Sequence, residues 1–410
     1  MITLYSEEKA CCGCGGCGSV CPKNAISMKK NKDGFLFPVI NQEKCIECGL
    51  CRKYCAYQSE KELRMPIESY AATNKDRRLL ERSTSGGIFS AIADAFLSNG
   101  GYVCGAIVDF EKSIATVKHA VICSKEDLYR LQKSKYVQSN TSEVYRDVKK
   151  LLKSGKTVLF SGTPCQVAEM KKVAGKAAEN LYTIDIICHG VPSEVFFNEY
   201  LKREAEKKKI EITSFDFRNK KYGWGLDGNI SGITEQGKKT EMVINPENSS
   251  YYHYFLSGEI YRESCYACPY ANKQRVGDLT IGDYWGIEKN NPELLKENSG
   301  PLDDKKGISC LMINTEHGKN LMEEFGAKIE KYPVSYSNIA MANTQLNHPA
   351  SHTEFRNRIF ELYRENGYGE IESMFEKYRN RQEKIRRIKR GVKKILPDKI
   401  VCAIKNKRKK

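Results

Sequence analysis

Apolar residues in the middle of this chain recur with two alternating periods. Residues 86–97 carry Ile88, Phe89, Ala91, Ile92, Ala95, Phe96 and Leu97 at helical spacing. Ser85 stands as an N-cap and Gly100 follows the end. Residues 102–108 then read as a strand. Residues 142–153 form a second helical pattern, apolar at Val144, Val148, Leu151 and Leu152. A short apolar run at 157–160 predicts a buried strand, a turn at Ser161, Gly162 and Thr163, and a helix opening at Pro164. The same sequence of elements recurs: a strand at 183–187, a turn at Cys188, His189 and Gly190, and a helix from about Pro192. Strands alternating with amphipathic helices predict an α/β fold around a mixed or parallel sheet.

The 410 residues divide by composition. Residues 1–57 are rich in cysteine and predict a small α+β ferredoxin-like domain. A linker at 58–67 leads to α/β regions at 68–155 and 156–350. Charged, helix-like sequence then enters a basic tail, 376–410. From Lys377 onward, sixteen Lys and Arg face only Glu383 and Asp398, so the tail holds +14 of the net +16 and the body is nearly neutral. Ile385, Ile388, Val392, Ile395 and Leu396 recur there at near-helical spacing. That pattern suits a solvated helix, or peripheral contact with an anionic membrane at its inner face. No aromatic platform or binding module accompanies the charge, which argues against nucleic acid. No apolar run reaches the roughly 18 residues of a membrane span. The first residues lack the basic start and apolar stretch of a secretory signal, so a cytoplasmic, reducing address is expected.

In that setting seventeen cysteines read as metal ligands or core thiols rather than disulfides. Cys11-x2-Cys14-x2-Cys17-x3-Cys21-Pro22 is the bacterial ferredoxin run, and it recurs as Cys45-x2-Cys48-x2-Cys51-x3-Cys55. Three thiolates of each run face one [4Fe–4S] cube and the fourth reaches the other. Cluster I therefore takes Cys11, Cys14, Cys17 and Cys55, and cluster II takes Cys45, Cys48, Cys51 and Cys21. A pair of zinc knuckles does not account for two matching four-cysteine runs. Ala56 stands where a proline usually follows the second run, and Cys12 is read as a spare.

Cys165 opens a helix after one strand and Cys188 ends the next, so a parallel sheet brings both to its carboxyl edge, where such sheets bind ligands. Cys265-x2-Cys268 adds a two-thiol clip from a loop. These four suffice for a third [4Fe–4S] cluster. A zinc site, a redox disulfide between Cys265 and Cys268, or a nucleophilic Cys165–His189 pair are the rival readings. Cys104, Cys123 and Cys310 lie in strand-like apolar surroundings and are expected to be buried structural thiols. Cys402 has no assigned role. Residues 277–286, rich in turn formers, read as a loop buttressing the sheet or lying beside a cofactor.

Taken together, the chain resembles the coenzyme F420 hydrogenase/dehydrogenase beta subunits from the ferredoxin runs to about residue 315. The carriers are Ser83, Thr84, Ser85, Gly86 and Gly87, the run 134–139, the run 161–166, Cys188-His189-Gly190, Cys265-x2-Cys268 and the run 277–286. The resemblance implies an FAD-binding α/β region with a cluster near the flavin, held by Cys165, Cys188, Cys265 and Cys268. It also implies that Ser85, Gly86, Gly87, Ser134, Lys135, Tyr136, Gln138 and Ser139 contact FAD. A glycine pair opening a helix suits a pyrophosphate, Lys135 supplies charge and Tyr136 a ring. No G-x-G-x-x-G run supports a standard Rossmann site. The implied function is an FAD and iron–sulfur oxidoreductase that couples hydride transfer with a small-molecule donor or acceptor to single-electron transport. Coenzyme F420 or a cell-surface polysaccharide precursor is the implied substrate. The alternative is a non-catalytic electron-transfer subunit joining a redox partner protein to a ferredoxin pool. No catalytic residue is singled out.

Overall fold

The computed structural model describes residues 3–395, with side chains to residue 388; Cys402 and Leu396 lie outside the described residues. The N-terminal module contains an antiparallel hairpin, β1 (Ile26–Lys30) and β2 (Leu36–Ile40). Two one-turn helices, Gly16–Ser19 and Leu50–Lys53, repeat the same local turn in the two cysteine runs.

The body is built on one eight-stranded sheet. Its strands are β3 (Glu68–Asn74), β4 (Tyr102–Glu111), β5 (Ile114–Ile122), β6 (Val158–Gly162) and β7 (Leu181–Ile186), joined later by three others. Before those come β8 (Ile210–Asp216), β9 (Gly228–Thr234) and β10 (Lys239–Ile244), which form a separate antiparallel sheet. The large sheet is completed by β11 (Leu279–Asp283), β12 (Ser309–Ile313) and β13 (Ile329–Pro333), in the order β13-β3-β12-β11-β7-β6-β4-β5. Pairs β4–β6, β6–β7 and β7–β11 are parallel and the flanking pairs antiparallel. The sheet is therefore mixed, and regions 68–155 and 156–350 share it.

The helices begin where local chemistry allows. The first, α1 (Ile88–Ser98), is capped by Gly87 at φ +75° rather than by Ser85. Ser85 instead donates to the carbonyl of Ile308 at 3.0 Å. Helix α2 (Val144–Lys153) buries the expected Val144 and Val148. Thr163 and Gln166 form a reciprocal capping box ahead of Pro164 in α3 (Pro164–Ala174). Ser193 caps α4 (Glu194–Lys208), leaving Pro192 just outside the helix. The last helix, α5 (Tyr368–Ile395), buries Ile371 and Phe375, and most of its basic side chains from Lys377 to Arg387 are exposed. Among the described residues no helix is long and apolar enough to cross a membrane.

Two expectations are corrected. Residues 277–286 do not merely buttress the sheet as a loop: residues 279–283 are a strand of it, β11, with Leu279 and Thr280 fully buried between β7 and β12, while Gly282, Asp283 and Trp285 line the central cavity. Cys104 and Cys310 are buried, but Cys123 is exposed, since it falls just after the end of β5.

Beneath β11 lies a buried ion pair. Asp185 on β7 accepts from Arg275 at 2.8 Å and from the Gly277 amide at 2.8 Å, and both side chains are within 2% of full burial. Arg275 also donates to the carbonyl of Tyr270, which fixes the path of the Cys265–Cys268 loop. Removing one member leaves the other charged and unpaired in the core. Asp185→Ala should cost about 3–5 kcal/mol, measured by urea unfolding with the fluorescence of Trp224 and Trp285.

Candidate iron–sulfur and cofactor site

The N-terminal module is seated on the body through the backbone of its first cysteine run. Arg262 donates to the Cys11 carbonyl at 2.8 Å, Gln138 to the Cys12 carbonyl at 2.9 Å and Thr141 to the Cys14 carbonyl at 2.6 Å. At the second run, Ala56 gives its N–H to Glu169 at 2.9 Å, and its carbonyl accepts from the Tyr270 hydroxyl at 2.9 Å. Gly13, at φ +68°, is required: a Cβ there would stand 2.7 Å from the Arg262 guanidinium. Gly16 leaves room for the Glu169 carboxyl in the same way.

Cys11, Cys14, Cys17 and Cys55 sit close enough to influence one another's ionisation, and all lie in the half-buried seam beside Glu169. Cys14 is hydrogen-bonded by Cys12, yet burial pushes its thiol up to about 12. Burial likewise raises Cys11, Cys17 and Cys55. Cys21, Cys45, Cys48 and Cys51 gather at the outer end, around a small apolar hollow with Ile26, Ile40 and Ile46. Of the twelve expected ligands only Cys48 is exposed.

The other four cysteines come together at the carboxyl edge of β6 and β7. Cys165 follows β6, Cys188 follows β7, and the Cys265–Cys268 loop closes over them. Burial and the neighbouring thiols raise Cys188, and they push Cys265 to about 12 and Cys268 to about 11. Cys165 is raised first by its hydrogen bond with Cys12. Cys265 and Cys268 are free thiols, and Cys165 contacts Thr163 Oγ1 at 3.2 Å, with no bond to His189 among the described residues. No three His, Cys, Asp or Glu side chains among the described residues converge tightly enough for a single metal ion. A cube of iron and sulfide holds its thiolates farther apart than one ion does, and supplies the positive charge that lets such buried thiols ionise. The residues present fit that group.

These four cysteines line a cavity of about 480 Å³ whose wall also includes Ser85, Gly87, Ser134, Lys135, Tyr136, Gln138 and Ser139. Gly86 lies behind the wall: its N–H donates to Ser309 Oγ at 2.9 Å, so it is not free for a phosphate. The N-terminus of α1, from Gly87 to Ser90, faces the cavity. Thr84 Oγ1 accepts from the Ser134 amide at 3.0 Å and ties the two segments together. Lys135 donates to the carbonyls of Arg130 and Gln132, and burial lowers its pKa to about 7. The Tyr136 ring stacks on Phe255, with centroids 4.5 Å apart. Gln138 and Ser139 are occupied as hydrogen-bond hubs, Gln138 toward Cys12 and Ser139 toward His119 and Gln166.

Four residues that the sequence left unassigned belong to this site. Cys12, read as a spare, is buried between Cys14 and Cys165 and hydrogen-bonds both. Glu169 lies one helical turn after Cys165 on α3, a spacing that marks a shared face. Burial pushes its carboxyl up to about 7, and its Oε1 has no partner among the described residues. Arg262 precedes Cys265 by three residues. His119 had no sequence signal. Its Nε2 faces the Ser161 carbonyl at 3.0 Å, which can only accept, so the proton sits on Nε2 and Nδ1 accepts from Ser139 at 2.9 Å.

Residues 155–334 match the family model for the C terminus of the coenzyme F420 hydrogenase/dehydrogenase beta subunit, and residues 69–146 match the model for its N-terminal part. Residues 10–59 match the 4Fe-4S dicluster domain. Over 56 residues the chain is 41% identical to an uncharacterized polyferredoxin-like protein of Methanocaldococcus jannaschii, covering 12% of this chain and 33% of that one. The chain thus spans about a third of that relative's length. Over 250 residues it is 22% identical to a subunit of the F(420)H(2) dehydrogenase of Methanosarcina mazei, covering 57% of this chain and 69% of that protein. A chain of the F420-reducing [NiFe] hydrogenase complex from Methanosarcina barkeri, solved as a xenon derivative, aligns with a TM-score of 0.42 at 17% identity. The alignment covers 70% of this chain and 93% of that one.

Burial lowers His119 from 6.5 to about 4. The ring is neutral in the fold and gains a proton on unfolding, so stability that is full above pH 6.5 falls as pH drops toward 4. The full span is worth about 3 kcal/mol. Urea midpoints of the wild type should fall between pH 7 and 5 more steeply than those of His119→Gln.

Proposed function

The chain belongs to the coenzyme F420 hydrogenase/dehydrogenase beta-subunit family, and we propose that it is an iron–sulfur electron-transfer subunit serving a redox partner. The observation that carries this reading is the continuity of the thiols. Cys268, Cys265 and Cys188 share a cavity with Cys165, which touches Cys12, which touches Cys14 of the first ferredoxin run. When bound, clusters at these thiols pass electrons singly, and a flavin exchanges hydride pairs with a substrate.

The residues of the chain hold this path in place. Arg262, Gln138 and Thr141 anchor the cysteine run by its carbonyls, and Tyr57 and Tyr270 exclude water between the two thiol groups. Exchange with a protein partner takes place at the outer end. There Cys48 is exposed, Ile46 is 57% exposed, and charges of both signs, Lys23, Lys44, Glu43 and Glu47, are exposed beside the thiols. A redox protein or a ferredoxin pool fits that surface, where an apolar side chain and charges of both signs surround an exposed cluster ligand.

A second reading adds FAD in the 480 Å³ cavity, which makes the chain an oxidoreductase acting on coenzyme F420 or another hydride carrier. It is favoured by the lining, where Ser85, Gly87, Ser134 and Tyr136 face the thiols across one space and the α1 N-terminus favours an anion.

Anaerobic purification with iron, sulfide and flavin quantified together tests both readings. About twelve irons per chain are expected, falling to about eight in Cys188→Ser. A wild-type value of about eight would remove the third cluster. Absence of flavin after anaerobic reconstitution with FAD would remove the oxidoreductase reading and leave the electron-transfer subunit.

A further inference from the structure

Three arginines are buried around the Cys265–Cys268 loop, and two of them are paired, Arg356 with Glu263 and Arg275 with Asp185. Arg262, 1% exposed, has no carboxylate partner among the described residues. Its Nε is bonded to the Cys11 carbonyl, its Nη1 reaches Gln138 Oε1 at 3.4 Å, and its guanidinium lies 4.0 Å from the centroid of the Phe37 ring. Its Nη2 has no hydrogen-bond partner among the described residues. A buried cation without an anion is strongly unfavourable, so the missing anion has to lie where the guanidinium is aimed. Two thiol groups flank it. The side chain is bonded close to Cys11, and the Arg262 carbonyl accepts the Cys265 amide at 2.9 Å while the side chain lines the central cavity.

We propose that Arg262 is the electrostatic bridge between cluster I and the third cluster, a positioning residue that raises the reduction potential of both. A four-thiolate cluster is anionic in either redox state and gains one further negative charge when reduced. A nearby fixed cation therefore stabilises the reduced form more than the oxidised one. The effect is largest at cluster I, whose ligand Arg262 touches. Arginine suits the task because it keeps its charge at every working pH and its planar fork is held by the Cys11 carbonyl and the Phe37 face. Glu169 approaches the same cluster from the other side, beside Cys14, Cys17 and Cys55, and does not line the central cavity. Among the described residues, Arg262 is thus the buried, unpaired charge that borders both thiol groups. The step it assists moves one electron from one cluster to the other, with no bond made or broken.

The inference rests on the cluster set proposed above, and the experiment separates the two. Full-length wild type, Arg262→Gln and Arg262→Lys are loaded anaerobically, counted for iron and titrated by EPR-monitored redox potentiometry. With iron content equal to wild type, Arg262→Gln should shift cluster I and the third cluster to more negative potentials while cluster II stays in place. Arg262→Lys should restore part of the shift. An unchanged cluster I, or an equal shift of all three signals, would overturn the bridge while leaving the clusters established. If Arg262→Gln fails to take up its iron, Arg262→Lys decides. Its compact ammonium withdraws from Cys11, so a partial negative shift of cluster I supports the proposal and no shift sinks it. Absence of a third signal in the wild type would instead defeat the cluster reading itself.

Discussion

The seating of the first cysteine run on the body is the contact that holds the two halves of the molecule in register. The three carbonyls of Cys11, Cys12 and Cys14 are each held by a different body side chain: Arg262 from the two-cysteine loop, Gln138 from the segment after β5, and Thr141 just before α2. Each bond is modest alone, about 1 kcal/mol for a neutral pair. Together they fix a glycine-rich segment whose free backbone would otherwise be costly to order. They also bring Cys12 against Cys165 and join two thiol groups that are far apart along the chain.

Burial at this seam creates an electrostatic demand that the polypeptide does not meet by itself. Arg262 Nη2 and Glu169 Oε1 are both enclosed without partners among the described residues. Ordinary cores leave few such groups, and each carries a desolvation cost. The buried thiols are likewise held in their protonated form by burial. These groups form one pattern: buried charges and buried thiols gathered along a single seam.

The mixed sheet explains where that space lies. Parallel strands β6 and β7 deliver Cys165 and Cys188 to one edge, while β11 runs parallel beside them and carries Asp283 and then Trp285 to the same edge. Arg218 and Trp224 both bond Asp283, and Trp224 stacks on Trp285 at 5.0 Å, so that side of the cavity is stiff. The opposite wall is formed by the α1 N-terminus and the segment Ser134–Ser139, which Thr84 binds together.

Whatever depends on short spacing was legible in the order of residues alone. The two ferredoxin runs, the α1 to α4 helices and the strands ahead of Cys165 and Cys188 are local patterns, readable because side-chain periodicity and cluster geometry act over a few residues. What depends on distant segments meeting emerged only in the folded chain. Residues 277–286 carry turn-forming residues, yet β7 and β12 bury β11 as an interior strand. Gly86 looked open to a phosphate, yet its N–H is taken by Ser309, 223 residues away. Cys12 read as a spare in its own run, because the contact that links it to Cys165 on α3 comes from a segment more than 150 residues away. Arg262 and Glu169 are ordinary charged residues in the sequence. They become exceptional through burial, which is a property of the folded seam and of no local pattern.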